Sequence, residues 1–242
     1  SCLSAGGRIK DSLYAAAAIE ILHNDTLMMD DIMDHSEWRR GEPTSWKRFG
    51  TSTTQCLSFI YSASVFQAAS YCPYPVEVAD RFASAFKTIF QGQIRDLLYE
   101  QRDRGEEYLD SNRYQRVELK DYLDMISQKT ASLMDISCQI GGVCARADKD
   151  QLKTLREYGY NLGISFQIRD DILDIYGQEA EFGKRIGQDI YERKLGNILV
   201  FPVICDTFPQ SRLKSSPSIK LAWMNRRKAS AFNSLGGRSP SL

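Results

Sequence analysis

The chain has 242 residues, which is enough for one domain with a sizeable apolar core. Its 31 Lys and Arg residues balance 31 Asp and Glu residues, so no overall field favours nucleic acid as a partner. No apolar run is long enough to span a bilayer, and the first residues lack the pattern of a signal peptide. The six cysteines include no Cys-x-x-Cys pair. Together these features predict a cytoplasmic protein with reduced thiols.

The first predicted element is a long helix that ends in an acidic segment. Residues 1–10 are small and polar and indicate a loop, after which Asp11 or Ser12 would cap the helix. The helix would run from about Leu13 to Met33. Its consecutive alanines favour close packing against neighbouring helices, because a small side chain lets two helix backbones approach.

The rest of the chain is predicted to form helices separated by short breaks. Glycine and proline residues predict a loop over residues 36–50. Further helices are predicted at about 51–71, 75–103, 116–146, 150–177 and 188–205. Few segments alternate with period two, so we expect an all-α protein in which residues 1–205 form one domain. Residues 206–242 are basic and rich in Ser and Arg, which predicts a poorly ordered tail.

Two Asp-Asp-x-x-Asp blocks, Asp30–Asp34 and Asp170–Asp174, each follow an apolar helical pattern. Residues four apart on a helix share a face, so the first and last Asp of each block point the same way. Carboxylates crowded in this manner repel unless a cation offsets their charge. Hard oxygen ligands with no Cys and little His nearby are those that Mg²⁺ prefers. Two such helices that face one cavity would give it two opposed carboxylate walls.

Several cationic side chains accompany the acidic blocks. Arg39 and Arg40 come directly after the first block, Lys129 precedes Thr130 within a helical pattern, and Lys184 follows a glycine. Arginine binds phosphate oxygens through paired hydrogen bonds, and lysine contributes a point charge. Together with the carboxylates, these residues predict a site for a magnesium-bound polyphosphate.

These segments, in this order and spacing, resemble the trans-isoprenyl diphosphate synthases of the polyprenyl synthetase family, and among them the geranylgeranyl diphosphate synthases. The matching segments, within about residues 10–200, are Glu20–His23, Asp30–Asp34, Arg39–Thr44, Gly92–Asp96, Lys129–Ala131, Phe166–Asp174 and Gly183–Asp189. A single Asp-Asp-x-x-Asp is weak evidence, whereas the ordered set is specific. The resemblance implies a single-domain, all-α bundle around a deep central cavity, the isoprenoid synthase fold, usually as a homodimer.

The resemblance also implies a magnesium-dependent prenyltransferase. An allylic diphosphate ionises to a carbocation and pyrophosphate, the double bond of isopentenyl diphosphate attacks the cation, and loss of a proton leaves a chain longer by one isoprene unit. Three carboxylates would bind Mg²⁺ directly, and these are Asp30, Asp34 and Asp170. Three more would act through water or as support for the ligands, and these are Asp31, Asp171 and Asp174.

By the same resemblance, the other site residues contact the two substrates. Arg39, Lys129 and Lys184 would bind the allylic diphosphate, and Arg40 would bind isopentenyl diphosphate. Thr130 and Gln167 would face the developing cation, and Phe166 would line the homoallylic tail. Gln93 would be a further substrate-binding residue. An apolar cavity would keep water away from the cation.

Product length is predicted from the residues that precede the first block. In the family, aromatic side chains five and four residues before the first Asp act as a floor that stops chain growth early. Here these positions are Asp25 and Thr26, and neither is aromatic. We therefore expect a C20 or longer trans-prenyl diphosphate. Asp25 is a poor lining for an apolar tube, and a turn of its side chain towards a neighbouring helix is the alternative.

The chain departs from the family pattern in several places, which leaves other functions open. The family's N-terminal Gly-Lys-Arg motif is not found at its usual distance before Glu20, and Ser58-Phe59 replaces a common Gly-Asp. One alternative is a non-catalytic or incomplete subunit that modulates a heteromeric prenyl synthase, and another is a terpene cyclase. A carboxylate-bridged di-iron bundle is disfavoured because it needs two Glu-x-x-His motifs, and only Glu20–His23 fits.

Overall fold

The computed structural model describes the backbone of residues 1–101 and 103–176, and side chains as far as residue 174. The predictions made for Lys184, for the helix at 188–205 and for the tail at 206–242 lie outside these residues. None of the described helices is long and apolar enough to cross a membrane.

The described residues are mostly helical, which confirms the predicted all-α class. The α-helices are α1 (Ile9–Met33), α2 (Ser45–Phe49), α3 (Thr51–Ala69), α4 (Pro75–Tyr99), α5 (Glu107–Ser111), α6 (Leu119–Ile126), α7 (Ser132–Cys144) and α8 (Lys149–Tyr176). A single π-helical turn, Ser127–Ala131, joins α6 to α7, and two short strands, β1 (Trp38–Arg39) and β2 (Glu42–Pro43), pair antiparallel. The π-turn, the strands and the short helices α2 and α5 were not predicted.

The start of α1 differs from the prediction. The helix begins at Ile9 rather than near Leu13, and Arg8 occupies the N-cap without a side-chain hydrogen bond. Asp11 therefore lies in the first turn, where its carboxylate accepts a 2.8 Å hydrogen bond from Arg8 Nε. The predicted cap at Asp11 or Ser12 was wrong. The acidic side chain stabilises the helix from inside the first turn, where it faces the positive end of the helix dipole.

The predicted loop at residues 36–50 instead contains a tight hairpin. Arg39 pairs with Glu42, and the two residues between them have positive φ angles, 54° at Arg40 and 80° at Gly41. A two-residue hairpin turn of this kind needs left-handed backbone at both positions, which glycine adopts without strain. The hairpin reverses the chain directly after α1, so Arg39 returns towards the acidic end of that helix.

Hydrogen bonds to one carbonyl oxygen hold the hairpin next to the end of α1. Thr44 Oγ1 and Trp46 Nε1 both donate to the oxygen of Ser36, each at 2.8 Å. The Thr44 amide also donates to the oxygen of Glu37 at 3.0 Å. Because Ser36 lies two residues after the first Asp block, these bonds fix the path of the chain just beyond the predicted site.

The described residues divide into two compact units, Ser1–Leu97 with Leu123–Gln167, and Leu98–Tyr122 with the end of α8 from Ile168 onwards. In the first unit α1 packs against α3 and α7. Ala15, Ala18 and Leu22 of α1 are buried, which agrees with the predicted role of alanine in close helix packing. Apolar side chains from α3, α4 and α7 complete this core, including Val65, Ala69, Val78, Phe82, Ala85, Ile89, Ile136, Ile140 and Val143.

In the second unit, charged and aromatic residues after α4 are held by specific contacts. The Tyr114 amide donates to the oxygen of Leu98 at 3.0 Å, and the rings of Tyr99 and Tyr114 meet edge to face with centroids 5.1 Å apart. Arg104 donates to Glu100 at 2.5 Å, and the two side chains are only 3% and 1% exposed. Because both side chains are buried, removal of one partner would leave an uncompensated charge and would destabilise the protein.

Asp25 is a fully buried carboxyl group between α1 and α3. Ser62 Oγ donates to its Oδ2 at 2.9 Å, whereas its Oδ1 has no hydrogen-bond partner among the described residues. Burial raises the pKa of Asp25 above its ordinary value, and the nearby hydroxyl groups of Ser58 and Ser62 only partly oppose this change. The side chain has therefore turned towards the neighbouring helix, which is the alternative that the sequence left open.

We expect Asp25→Asn to change how the stability of the protein depends on pH. Because burial raises the folded-state pKa, the wild-type carboxyl contributes fully to stability below its ordinary pKa of 3.8, and this contribution is lost as pH rises through the raised value. The amide variant keeps an oxygen for Ser62 and does not ionise. The free energy of unfolding of the variant, relative to that of the wild type, should therefore increase as pH rises.

Urea denaturation at several pH values between about 4 and 8, the range that begins near the reference pKa of an aspartate, measures this difference. Asp80→Asn, an exposed position on α4, is the matched control. Parallel stability curves for wild type and Asp25→Asn would show that Asp25 is not desolvated as the structure describes.

Candidate functional site

The first Asp block occupies the last turn of α1. Asp31 is 4% exposed, whereas Asp30 and Asp34 are half-buried on another face of the helix. The Asp34 amide donates to the oxygen of Asp30 at 2.8 Å, so the helical hydrogen-bond pattern continues through the block. As predicted from the four-residue spacing, Asp30 and Asp34 share a side of the helix that differs from that of Asp31.

Arg39 binds the first block through the hairpin. Its Nε lies 2.9 and 3.0 Å from the two carboxylate oxygens of Asp31, and its Nη2 lies 3.5 Å from Oδ2 of Asp30. Burial opposes the guanidinium charge, but the hydrogen bond and charge of Asp31 outweigh it and raise the pKa of Arg39 above its ordinary value. Arg40 lies at the exposed turn of the hairpin and makes no ion pair with any described residue.

The π-turn presents Lys129 to two carboxylates from different helices. Lys129 Nζ lies 3.0 Å from Oδ1 of Asp30 on α1 and 2.7 Å from Oδ2 of Asp96 on α4. Single π-turns within helices occur frequently at functional sites, because the extra residue changes the direction of the neighbouring side chains. The predicted site residues Asp30, Arg39 and Lys129 therefore form one cluster, to which the structure adds Asp96.

Asp96 belongs to the cluster but was not among the predicted site residues. It was a candidate group together with Gln93, as the end of the Gly92–Asp96 segment, but no role was assigned to it. It is 5% exposed, and a buried carboxylate needs a charge partner or hydrogen bonds. The sequence did indicate this position, because Asp96 lies one helical turn after Gln93 and therefore on the same face of the helix as a predicted substrate-binding residue.

Two glycines explain how the π-turn comes so close to α4 and α8. A Cβ atom built on Gly92 would lie 2.8 Å from Cα of Lys129, and one built on Gly163 would lie 2.8 Å from Cβ of Ala131. Real side chains do not approach so closely, so any residue larger than glycine would force the segments apart. The two helices therefore hold Lys129 and its neighbour Thr130 from both sides.

Thr130 and Gln167 are brought together as a pair. Thr130 Oγ1 donates to Oε1 of Gln167 at 2.7 Å, which joins the π-turn to α8 within the first unit. Phe166 is 47% exposed. Gln93 is 6% exposed, and its Nε2 has no hydrogen-bond partner among the described residues. The roles assigned to these residues by the resemblance stay predictions.

The second Asp block lies in the second unit, near the end of α8. Asp171 and Asp174 are 2% and 5% exposed, whereas Asp170 is half-buried. Tyr122, itself 1% exposed, donates a short hydrogen bond to Oδ2 of Asp171. Asp170 is thus the most accessible carboxylate of this block. The opposed arrangement of the two blocks stays a prediction.

The donor set of the first block fits a hard divalent cation. The partly exposed groups are the carboxylates of Asp30 and Asp34. No group of three or more His, Cys, Asp or Glu side chains in the described part of the chain is placed to bind a metal ion. The two partly exposed carboxylates match the usual mode of Mg²⁺, which takes one or two carboxylates and completes its shell with water and substrate phosphates.

Comparison with known proteins gives the same family that the motifs indicate. The polyprenyl synthetase family model matches residues 2–216. Over 195 residues the chain is 40% identical to the geranylgeranyl diphosphate synthase of Saccharolobus solfataricus, a match that covers 78% of this chain and 55% of that protein. It is 35% identical over 195 residues to the short chain isoprenyl diphosphate synthase of Methanocaldococcus jannaschii, covering 79% of this chain and 56% of that protein.

Solved structures agree with these matches. A crystal structure of a geranylgeranyl pyrophosphate synthase superimposes with a TM-score of 0.76 at 27% identity, covering 93% of this chain and 69% of that chain. The polyprenyl synthetase of Streptomyces coelicolor gives a TM-score of 0.73, also at 27% identity, covering 98% of this chain and 70% of that chain. The protein belongs to the polyprenyl synthetase family, with the isoprenoid synthase fold. It spans just over half the length of the curated relatives that it matches.

We expect Gly163→Ala to destabilise the protein, although a Gly-to-Ala change inside a helix ordinarily stabilises by roughly 0.5–1 kcal/mol. The new methyl group would overlap Ala131, and relief of such overpacking costs about 1–3 kcal/mol. Ser165→Ala, at an exposed position of the same helix, serves as control. Urea denaturation measures both variants, and a stabilised Gly163→Ala protein would contradict the close contact between α8 and the π-turn.

Proposed function

We propose that the chain provides the reaction centre of a magnesium-dependent prenyltransferase that condenses isopentenyl diphosphate with an allylic diphosphate. The observation that carries this proposal is the cluster in which Lys129 bridges Asp30 and Asp96 while Arg39 binds Asp31. It places two cations of the kind that bind diphosphate beside carboxylates of the kind that bind Mg²⁺. The names of the relatives, geranylgeranyl and short chain isoprenyl diphosphate synthases, support the same reaction.

In this proposal the carboxylates hold the metal and the cations hold the substrate. Asp30, Asp34 and Asp170 would bind Mg²⁺ directly, which would neutralise the allylic diphosphate and stabilise negative charge on the leaving pyrophosphate. Asp31, Asp171 and Asp174 are too buried to be reached directly and would orient their neighbours. Asp31 does so through Arg39, and Asp171 through Tyr122.

The chain's other polar groups act on the diphosphate and on the carbocation. Lys129 and Arg39 would donate hydrogen bonds to the diphosphate oxygens, where charge develops as the bond to carbon breaks. Thr130 and Gln167 are fixed by their mutual hydrogen bond and would present oxygen atoms to the cation. The remaining substrate contacts that the resemblance implies would be made by Lys184, Arg40, Phe166 and Gln93.

The product would be a C20 or longer trans-prenyl diphosphate, with geranylgeranyl diphosphate first among them. Asp25 points towards α3, which leaves Thr26 as the residue one helical turn below Asp30 on the same face. Thr26 is a small, half-buried residue whose hydroxyl donates to the oxygen of His23 at 2.8 Å. A side chain of this size leaves a prenyl tube open at this depth.

The chain would act as a homodimer in the cytoplasm. The outer face of α3 exposes large apolar side chains, with Phe59 76%, Ile60 58% and Phe66 39% exposed. An apolar face of this kind on a helix is typical of a protein interface, and a second copy would cover it. The five described cysteines are free thiols, which is typical of a reducing compartment.

The first test is prenyl transfer by the purified chain. Labelled isopentenyl diphosphate, Mg²⁺ and each allylic diphosphate in turn should give an elongated product, and Asp30→Ala should reduce turnover by about 10²–10³-fold, as for loss of one preorganised stabiliser of developing charge. Asp150→Asn, at an exposed site on α8, controls for net charge. A chain that binds Mg²⁺ and pyrophosphate but elongates nothing by itself would favour the alternative of a subunit that needs a partner.

The second test concerns product length. Thr26→Phe should shorten the product, because an aromatic ring one turn below the first block would fill the tube without a change to the metal ligands. Ala17→Phe, which adds the same ring to the exposed face of α1, is the control. Chromatographic sizing of the dephosphorylated products measures the effect. An unchanged product length in Thr26→Phe would show that Thr26 does not line the tube.

A further inference from the structure

Lys129 contacts two carboxylates that have different surroundings. Asp96 is 7% exposed at its side chain and lies 2.7 Å from Lys129 Nζ. Asp30 is 23% exposed at its side chain and lies 3.0 Å from the same nitrogen. The buried carboxylate therefore has the shorter contact, and the more accessible one has the longer contact.

The two contacts differ in how readily they can be given up. A buried carboxylate that loses its cation is left unpaired in a medium of low dielectric, so the Asp96 contact is costly to break. A half-exposed carboxylate can exchange one cation for another, because water reaches it during the exchange. Asp30 is also the residue that Mg²⁺ would take in the proposed function. A metal ion and the Lys129 ammonium group compete for it, since both are cations that need the same oxygen.

The backbone keeps Lys129 in place during such an exchange. Gly92 lets α4 approach Cα of Lys129, and Asp96 lies one turn further along that same helix. One helix therefore fixes both the backbone of Lys129 and one end of its side chain. The ammonium group carries three N–H donors, so it can keep its bond to Asp96 and direct another donor elsewhere.

We infer that Asp96 is a positioning residue that lets Lys129 exchange one partner for another. Without metal, Lys129 forms an ion pair with Asp30. When Mg²⁺ binds Asp30, Lys129 keeps its ion pair with Asp96 and donates a hydrogen bond to the diphosphate. This inference rests on the proposed function, because it takes Mg²⁺ and diphosphate as the ligands. It makes their binding interdependent. Metal alone must displace an internal cation, whereas metal with diphosphate gives that cation a new partner.

The first measurement is isothermal titration calorimetry with Mg²⁺ alone. Lys129→Met removes the competing ammonium group and should bind Mg²⁺ roughly three- to fivefold more tightly than the wild type, the change expected from release of one partly exposed ion pair. Lys153→Met, an exposed position on α8, makes the same change in net charge and should bind as the wild type does. Equal Mg²⁺ affinities for Lys129→Met and wild type would overturn the competition.

The second measurement is pyrophosphate binding at saturating Mg²⁺ for wild type, Asp96→Asn, Lys129→Met and the double variant. Asp96→Asn should weaken pyrophosphate about tenfold, which corresponds to one charge-assisted hydrogen bond that is no longer correctly placed. In the Lys129→Met background the same change should have little further effect on pyrophosphate affinity, because in this inference Asp96 acts on pyrophosphate through Lys129. A tenfold loss that persists in that background would overturn the positioning role.

Two controls separate other causes. Asp80→Asn makes the same change at an exposed position of α4, and circular dichroism melting identifies any variant that is not folded. Both measurements use binding rather than turnover. If partner exchange is found but the wild type does not elongate any allylic diphosphate, the proposed function fails and the inference about Asp96 stands. If the wild type elongates an allylic diphosphate but Mg²⁺ binding and pyrophosphate binding are not coupled through Lys129, the inference about Asp96 fails and the proposed function stands.

Discussion

The ion pairs of Lys129 with Asp30 and Asp96 join the π-turn to the end of α1 and to α4. Carboxylates gathered at the end of α1 would repel each other, and this repulsion has to be offset before any ligand arrives. Lys129 and Arg39 supply the compensating charges from segments that are distant in sequence from each other. The carboxylates are therefore partly neutralised by the protein's own side chains, and in the proposed function a bound ligand would replace contacts that already exist.

The position of these charges depends on helix contacts with very little space between the backbones. Gly92 and Gly163 allow α4 and α8 to touch the π-turn, and the π-turn in turn directs Lys129 and Thr130. The tight two-residue turn at Gly41 has the same effect on Arg39. In each case an absent side chain fixes where a side chain of the candidate site lies, because a protein interior has no free volume to absorb a misplaced helix.

Asp25 shows how one buried polar residue changes the use of a helix. A carboxyl group on the face that should line an apolar tube would be unfavourable there, and it has turned to Ser62 on α3 instead. The α1–α3 contact thus includes a hydrogen bond within a mainly apolar interface. In the proposed function Thr26, the next residue along the chain, would be the residue of α1 that sets the depth of the tube.

Periodicity and composition determined the all-α class, most helix positions and the carboxylates at the end of α1, because these depend on local spacing along the chain. The sequence also indicated Lys129, Thr130 and Gln167 as site residues, through their resemblance to family motifs. Only the tertiary structure decided that Asp96 belongs to the cluster and that the chain forms a π-turn at Lys129. Both depend on contacts between helices far apart in sequence, which no local pattern records.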